Sequence, residues 1–176
     1  MLVGIMSDSH GDARATARAV SLLESRGAER LFHCGDICGE QVLDELAGHH
    51  CVFVWGNCDR PAATARRYVE HLGLAWPAHP QHATISGKRI GVYHGHERDF
   101  CTAASEYALD YLFYGHTHAY SDQMKKGCRL INPGALYRAR IRTVALLDLE
   151  TNRLVFLQIE NGKEVPLIRA ATVRQR

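Results

Sequence analysis

No apolar run in this 176-residue chain approaches the eighteen or more residues that a membrane helix needs. Nor is there a charge excess to speak of. The net charge is +2 and the isoelectric point about 8.3, too mild for the clustered basic face of a nucleic-acid binder. The six cysteines (Cys34, Cys38, Cys51, Cys58, Cys101, Cys128) include no CxxC pair, which argues against a cysteine-rich structural zinc site. They read instead as scattered small residues, mostly buried free thiols in a reducing cytoplasm. No repeat, linker or low-complexity stretch interrupts the chain. The first apolar run, Leu2–Met6, is too short for a signal peptide, so Met1 is expected close to the mature start. What is left is one domain over residues 1–176, in which 46 % hydrophobic residues suffice for a sizeable core.

The first half reads as strand, helix, strand, helix, strand. Leu2–Met6 is the first strand. Asp12 can cap a helix with Ala19, Val20, Leu22 and Leu23 on one face, and Gly27 stops it. Leu31–Cys34 is the second strand. Val42, Leu43 and Leu46 form the apolar face of a short helix, and Cys51–Trp55 is the third strand. The intervals from Asp8 to Asp36 and from Asp36 to Asn57 each fit a β-α-β step, which predicts parallel strands. Pro61 suits the first turn of a third helix carrying Ala65, Tyr68, Val69 and Leu72, and Trp76–Pro80 reads as irregular chain. Gln81–Ile85 and Lys88–Tyr93 are hairpin arms around Ser86 and Gly87. A short helix starts at Asp99, Leu112–Tyr114 is a strand, and further strands lie near Cys128–Ile131, Thr143–Leu147 and Leu154–Ile159. A basic tail follows Val173.

Metal-ligand side chains follow five of these apolar runs: Asp8 and His10, Asp36, Asn57, His94, then His116 and His118. In a layered α/β protein, ligands bind outside the carboxyl ends of strands, so one rim would collect them all. Asp8 and His10 flank Ser9, and His116 and His118 flank Thr117, so on extended backbone each pair points one way. Asp36 could bridge two cations through its two oxygens. Neighbouring Gly35, Gly56, Gly95 and Gly115 permit tight turns and close backbone approach. Taken singly, each pair is weak, and Asp36 and Asn57 would pass for helix caps or turn residues. Jointly, this number of oxygen and nitrogen ligands suits two divalent cations. His33, inside a strand, reads as a core histidine. His49, His50, His71, His79 and His82 read as solvated. His96 either touches substrate phosphate or orients His94.

Asp8-x-His10, Gly35-Asp36, Gly56-Asn57-Cys58-Asp59, His94-Gly95-His96, Gly115-His116-Thr117-His118 and Asn132-Pro133-Gly134 together resemble the calcineurin-like metallophosphoesterase superfamily. Within it they resemble the small bacterial and archaeal phosphodiesterases related to the phosphoesterase-like subunit of retromer. The resemblance implies an α/β fold, a four-layer β-sandwich flanked by helices. It also implies two divalent metal ions, manganese first, with nickel, iron, cobalt and zinc as the other candidates. Asp8, His10 and His118 would hold one, Asn57, His94 and His116 the other, with Asp36 between. A hydroxide bridging the ions would attack phosphorus, and Asp36, Asn57, Cys58 and His96 would be the catalytic group. Two departures bear on substrate. Cys58 stands where broader members of the superfamily place a histidine, and Ala135-Leu136-Tyr137-Arg138-Ala139-Arg140 replaces the usual serine and proline after Asn-Pro-Gly.

The expected function is therefore a cytoplasmic metal-dependent phosphodiesterase acting on small phosphodiesters. The alternatives are a phosphomonoesterase and a retromer-subunit-like protein-binding scaffold. All seven ligand positions hold competent side chains, which favours the enzyme. The expected partner is a small phosphoester, with neither membrane nor nucleic acid, and a homo-oligomer is left open. None of Arg60, Arg98, Arg129, Arg138, Arg140 and Arg142 sits between ligands within a motif, so no dedicated clamp for a doubly charged monoester is evident and diesters are preferred.

Overall fold

Alternation of apolar residues along the strands produces two stacked sheets with helices on both outer sides. The computed structural model describes residues 1–78 and 81–167. His79, Pro80 and the basic tail after Val173 lie outside the described residues. The elements are β1 (Leu2–Met6), α1 (Ala13–Ser25), β2 (Arg30–His33), α2 (Glu40–Asp44), β3 (Cys51–Phe53), α3 (Ala65–His71), β4 (Gln81–Ile85) and β5 (Lys88–Val92). After these come α4 (Phe100–Glu106), β6 (Tyr111–Phe113), β7 (Ser121–Lys125), β8 (Cys128–Asn132), β9 (Thr143–Asp148), β10 (Leu154–Gln158) and β11 (Glu164–Val165).

The first sheet has the order β11-β10-β9-β1-β2-β3, and the second β4-β5-β6-β8-β7. β1, β2 and β3 are parallel, with Met6 opposite His33 and His33 opposite Phe53. β5, β6 and β8 are parallel too, with Val92 opposite Phe113 and Phe113 opposite Ile131.

Three apolar clusters define four layers. Ala19, Val20 and Leu23 of α1, Val42 and Leu43 of α2, and Val69 of α3 pack on one face of the first sheet. Val3, Ile5, Phe32, Ala145 and Phe156 turn the other way and meet Ile90, Val92, Phe113 and Ile131 of the second sheet. Ala103 and Ala104 of α4 cover that sheet's outer face at Leu112, Cys128 and Leu130. Phe32 and Phe113 meet edge to face across the interface, ring centres 5.2 Å apart. Such a pair adds about 0.5–1.5 kcal/mol beyond area burial. The four-layer reading is thus borne out in architecture.

Local signals account for several boundaries. Asp12 Oδ1 accepts from the Ala15 amide at 2.9 Å and opens α1. The expected start of α3 at Pro61 is wrong: the helix begins at Ala65, and Pro61 lies in the preceding loop. Proline fixes φ but cannot by itself commit the next residues to helix. β7 and β11 went unread. β7 is a largely exposed polar edge strand and β11 only two residues long, and neither carries the apolar alternation that marks a half-buried strand.

Candidate metal centre

The three parallel strands of the first sheet and two of the second end along one rim, so the site lies between sheets rather than on one. The Asp8 amide donates to the Gly35 carbonyl (3.0 Å), His10 N to Asp36 O (2.9 Å) and Gly115 N to His94 O (2.9 Å). Two further bonds cross between sheets. His116 N donates to Asp8 Oδ2 at 3.1 Å, and His94 Nδ1 to the Cys34 carbonyl at 2.7 Å.

At the centre, Asp36 divides its two oxygens. Oδ1 accepts from the Cys58 amide at 2.8 Å, while Oδ2 lies 3.4 Å from both His10 Nε2 and His94 Nε2. One Asp36 oxygen thus faces both sides of the site while the other is anchored to backbone. Asp8 Oδ1 is 3.3 Å from His118 Nε2 and 3.9 Å from His10 Nε2. His10 and His118 approach each other to 3.2 Å. On the other side, Asn57 Oδ1 lies 3.0 Å from His94 Nε2 and 2.9 Å from His116 Nδ1. All seven sequence-selected side chains thus converge.

The donor set fits cations on two observations. Asp8 Oδ1 is buried with no hydrogen-bond partner, an arrangement that burial alone makes costly for a carboxylate. His94 uses its Nδ1–H on Cys34 O, which leaves Nε2 as a lone pair in the neutral ring. That lone pair confronts another acceptor, Asn57 Oδ1, at 3.0 Å, and two acceptors at that separation repel unless a proton or cation lies between them. Ligand atoms of Asp8, His10 and His118, and of Asp8, Asp36 and His94, fall within 4.8 Å of one another.

Electrostatics separate the two carboxylates. Burial pushes the Asp8 carboxyl above its ordinary value, with His94 and His118 pulling the other way. Burial acts in the same sense on Asp36, but the Cys58 amide and the His94 imidazole outweigh it, and the net shift is downward. The Asp36 carboxylate, by hydrogen bonding, holds the exposed Cys58 thiol above its usual range. Cys58 Sγ itself lies within 4.8 Å of ligand atoms of His10 and Asp36.

The backbone reading needs a correction. Asp8, His10, Asp36, His116 and His118 adopt φ of 56°, 43°, 53°, 67° and 56°, so the i, i+2 pairs are not on extended chain. Left-handed residues turn the chain sharply after each strand and bring alternate side chains into one volume. Non-glycine residues in this region cost of order 1–3 kcal/mol each, and clusters of them mark functional sites. The neighbouring glycines do serve close approach. A Cβ on Gly56 would sit 2.2 Å from Asp36 Oδ1, and one on Gly115 would sit 1.9 Å from Ser7 Oγ and 2.6 Å from Asp8 Oδ2.

Three polar residues that sequence reasoning passed over hold the ligand loops in place. Asp59 accepts from the amides of Gly56 (2.6 Å), Cys38 (2.7 Å) and Ile37 (3.2 Å), joining the loops that carry Asn57 and Asp36. Glu97 accepts from His94 N and Gly95 N, both at 2.6 Å. Asn132 Nδ2 donates to Gly115 O at 2.7 Å and to Thr117 Oγ1 at 3.1 Å. An acid three residues after Gly56 or His94 was the available signal, a spacing suited to capping free amides. His96 is exposed, its ring 5.3 Å from that of His94. Cys34 O and Glu97, not His96, fix the orientation of His94. His33 is buried as expected, between Ser9 Oγ (2.7 Å) and the Gly35 amide (3.2 Å).

A family profile, the calcineurin-like phosphoesterase superfamily domain, matches residues 1–152. A phosphodiesterase of Methanocaldococcus jannaschii is 26 % identical over 156 residues, covering 85 % of this chain and 94 % of its own. Phosphodiesterase YfcE of Escherichia coli is 28 % identical over 146 residues, 74 % of this chain and 76 % of its own. Among solved structures, an archaeal phosphodiesterase aligns with a TM-score of 0.80 at 24 % identity, covering 90 % of this chain and 99 % of the other. Vps29 of Entamoeba histolytica, solved with zinc, aligns at 0.66 and 20 % identity over 94 % of this chain and 96 % of its own. With one sheet pair, one strand-end site and a family match over most of its length, the chain belongs to the calcineurin-like phosphoesterase superfamily.

Proposed function

We propose that this protein is a metal-dependent phosphodiesterase. The observation that carries the reading is Asp36 Oδ2, 3.4 Å from imidazole nitrogens on both sides of the site. Asp8, His10 and His118 would hold one divalent cation and Asn57, His94 and His116 the other, with Asp36 shared. Cations bound there supply Lewis acidity and lower the pKa of the attacking water towards neutrality. Two carboxylates against two dications leave a positive site, which attracts a phosphoryl group. Glu97 fixes the backbone of the His94 loop and Asp59 ties the Asn57 loop to the Asp36 loop, so alignment is set before substrate arrives.

The Asp36 carboxylate, by hydrogen bonding, raises the Cys58 thiol above its usual range. A weakly acidic thiol is a poor proton donor to an alkoxide, so esters with good leaving groups are favoured. The reading extends to manganese as the metal and the cytoplasm as the compartment, in keeping with six unpaired thiols. A protein-binding scaffold is the lesser reading, since the complete ligand set serves no purpose in it. Steady-state kinetics with Mn²⁺ on bis-(p-nitrophenyl) phosphate and p-nitrophenyl phosphate test the proposal. The diester should have the higher kcat/KM. A monoester preference would overturn the substrate class, and no turnover of either with any divalent metal would favour the scaffold.

A further inference from the structure

The loops carrying Asp36 and Asn57 continue past the ligands and enclose a cavity of about 370 Å³. Its lining includes Ile37, Leu43, Trp55, Cys58, Ala62 and Ala65. Cys58 joins it to the ligand cluster, because its thiol is within 4.8 Å of the His10 and Asp36 ligand atoms. The volume lies in the range of small-molecule sites, about 300–1,000 Å³. Trp55 is a fixed wall: its ring packs edge-on against Phe53 at 5.1 Å and in a tilted contact with Trp76 at 5.5 Å. At the rim, Arg60 donates to the carbonyls of Asn57 (2.8 Å) and Asp59 (3.0 Å), which fixes a cation beside the Asn57 loop. Glu40, also lining the cavity, disfavours an arm that carries a phosphate of its own.

We propose that this cavity receives one ester arm of the substrate, an uncharged planar aromatic group of aryl or nucleobase size. The assignment rests on the phosphodiesterase reading and narrows it. A diester presents two organic arms to the ligand cluster, and an apolar pocket with an indole wall beside that cluster selects a flat arm over an alkyl one. Arg60 screens the diester's single charge at the entrance.

Of the chain's two tryptophans, Trp55 lines this cavity and Trp76 packs against Trp55, so binding can be read without turnover. Intrinsic fluorescence of the Mn²⁺-loaded protein is titrated with diphenyl phosphate and with dimethyl phosphate. Diphenyl phosphate should change the emission saturably and bind at least about tenfold more tightly, the scale of a filled apolar pocket. Ala62→Phe, at an exposed position of the wall, should remove that advantage, with Ala62→Leu as the milder filling variant. Both variants should keep wild-type far-UV circular dichroism and Mn²⁺ affinity. Equal affinity for the two esters would overturn the proposal. So would a diphenyl phosphate advantage that survives both fillings but is lost on Tyr120→Ala, in the second cavity beside His118. If the aromatic advantage is present and filling-sensitive while no phosphoester is hydrolysed, the pocket stands and the phosphodiesterase reading is what fails.

Discussion

Acidification should unfold this protein partly through one buried histidine. His33 is fully buried, and burial, reinforced by His94, depresses its pKa to about 3 from the ordinary 6.5. Its surroundings agree with a neutral ring. The Gly35 amide donates to Nδ1, so Nε2 carries the proton and donates to Ser9 Oγ. A second proton would leave the Gly35 amide facing another donor. In the unfolded chain His33 titrates normally, so between pH 6.5 and about 3 the unfolded state binds more protons and stability falls as pH falls. At pH 5 the unfolded ring is about 1.5 pH units below its pKa while the folded ring is still neutral, a loss of about 2 kcal/mol relative to pH 7.5. In a domain of this size that is a shift of roughly 4–8 °C in Tm. The assay is urea unfolding of wild type and His33→Gln between pH 7.5 and 5.0, with chelator present. His33→Gln cannot titrate there. It should be less stable at pH 7.5, because the Ser9 and Gly35 contacts are disturbed, yet its curve should be flatter by about 2 kcal/mol over the interval. Parallel curves would refute the reasoning, since all other groups titrate in both proteins.

Asp36→Asn should abolish phosphodiesterase activity and weaken Mn²⁺ binding by more than the ~10–100-fold of an outer-shell loss, whereas Cys58→Ser should change kcat moderately. Equal loss in both, measured by kinetics and calorimetric titration, would point to a thiolate role. Asp59→Asn places an amide donor against a set of three backbone N–H groups. It should lower Mn²⁺ affinity by about 10–100-fold with the helices intact by circular dichroism. Gly115→Ala forces a methyl to 1.9 Å from Ser7 Oγ and should cost about 1–3 kcal/mol in urea unfolding. Mn²⁺ at a hundred times its Kd should add about 2.7 kcal/mol to the unfolding free energy of wild type and much less to that of Asp36→Asn.

Element order and the seven converging side chains could be read from the chain because both are local: apolar runs of strand length, each followed by a polar side chain and a glycine. The parallel order of β1, β2 and β3 follows from helix-length connections. Partition of the ligand strands between two sheets was not legible, since no residue in β5 or β6 records which neighbours it pairs with. The left-handed backbone at Asp8, His10, Asp36, His116 and His118 was hidden for another reason. Aspartate and histidine are enriched at positive φ, yet even they adopt it in a minority of cases, so tertiary contacts impose the conformation. Asp59 and Asn132 sat inside the quoted motifs and Glu97 one residue beyond another, yet their partners are backbone groups with no side-chain signature. The aromatic cavity likewise draws on two loops separated by α2.

Those left-handed positions set a direction for neutral change in this chain. Selection for stability alone would replace aspartate and histidine there by glycine or asparagine, which tolerate positive φ at little cost. Each exchange would add stability while dismantling the centre. A descendant released from the chemistry should therefore decay first at the strand ends, keeping its sheets and gaining thermal tolerance. In such a lineage a higher melting temperature would accompany the loss of metal binding.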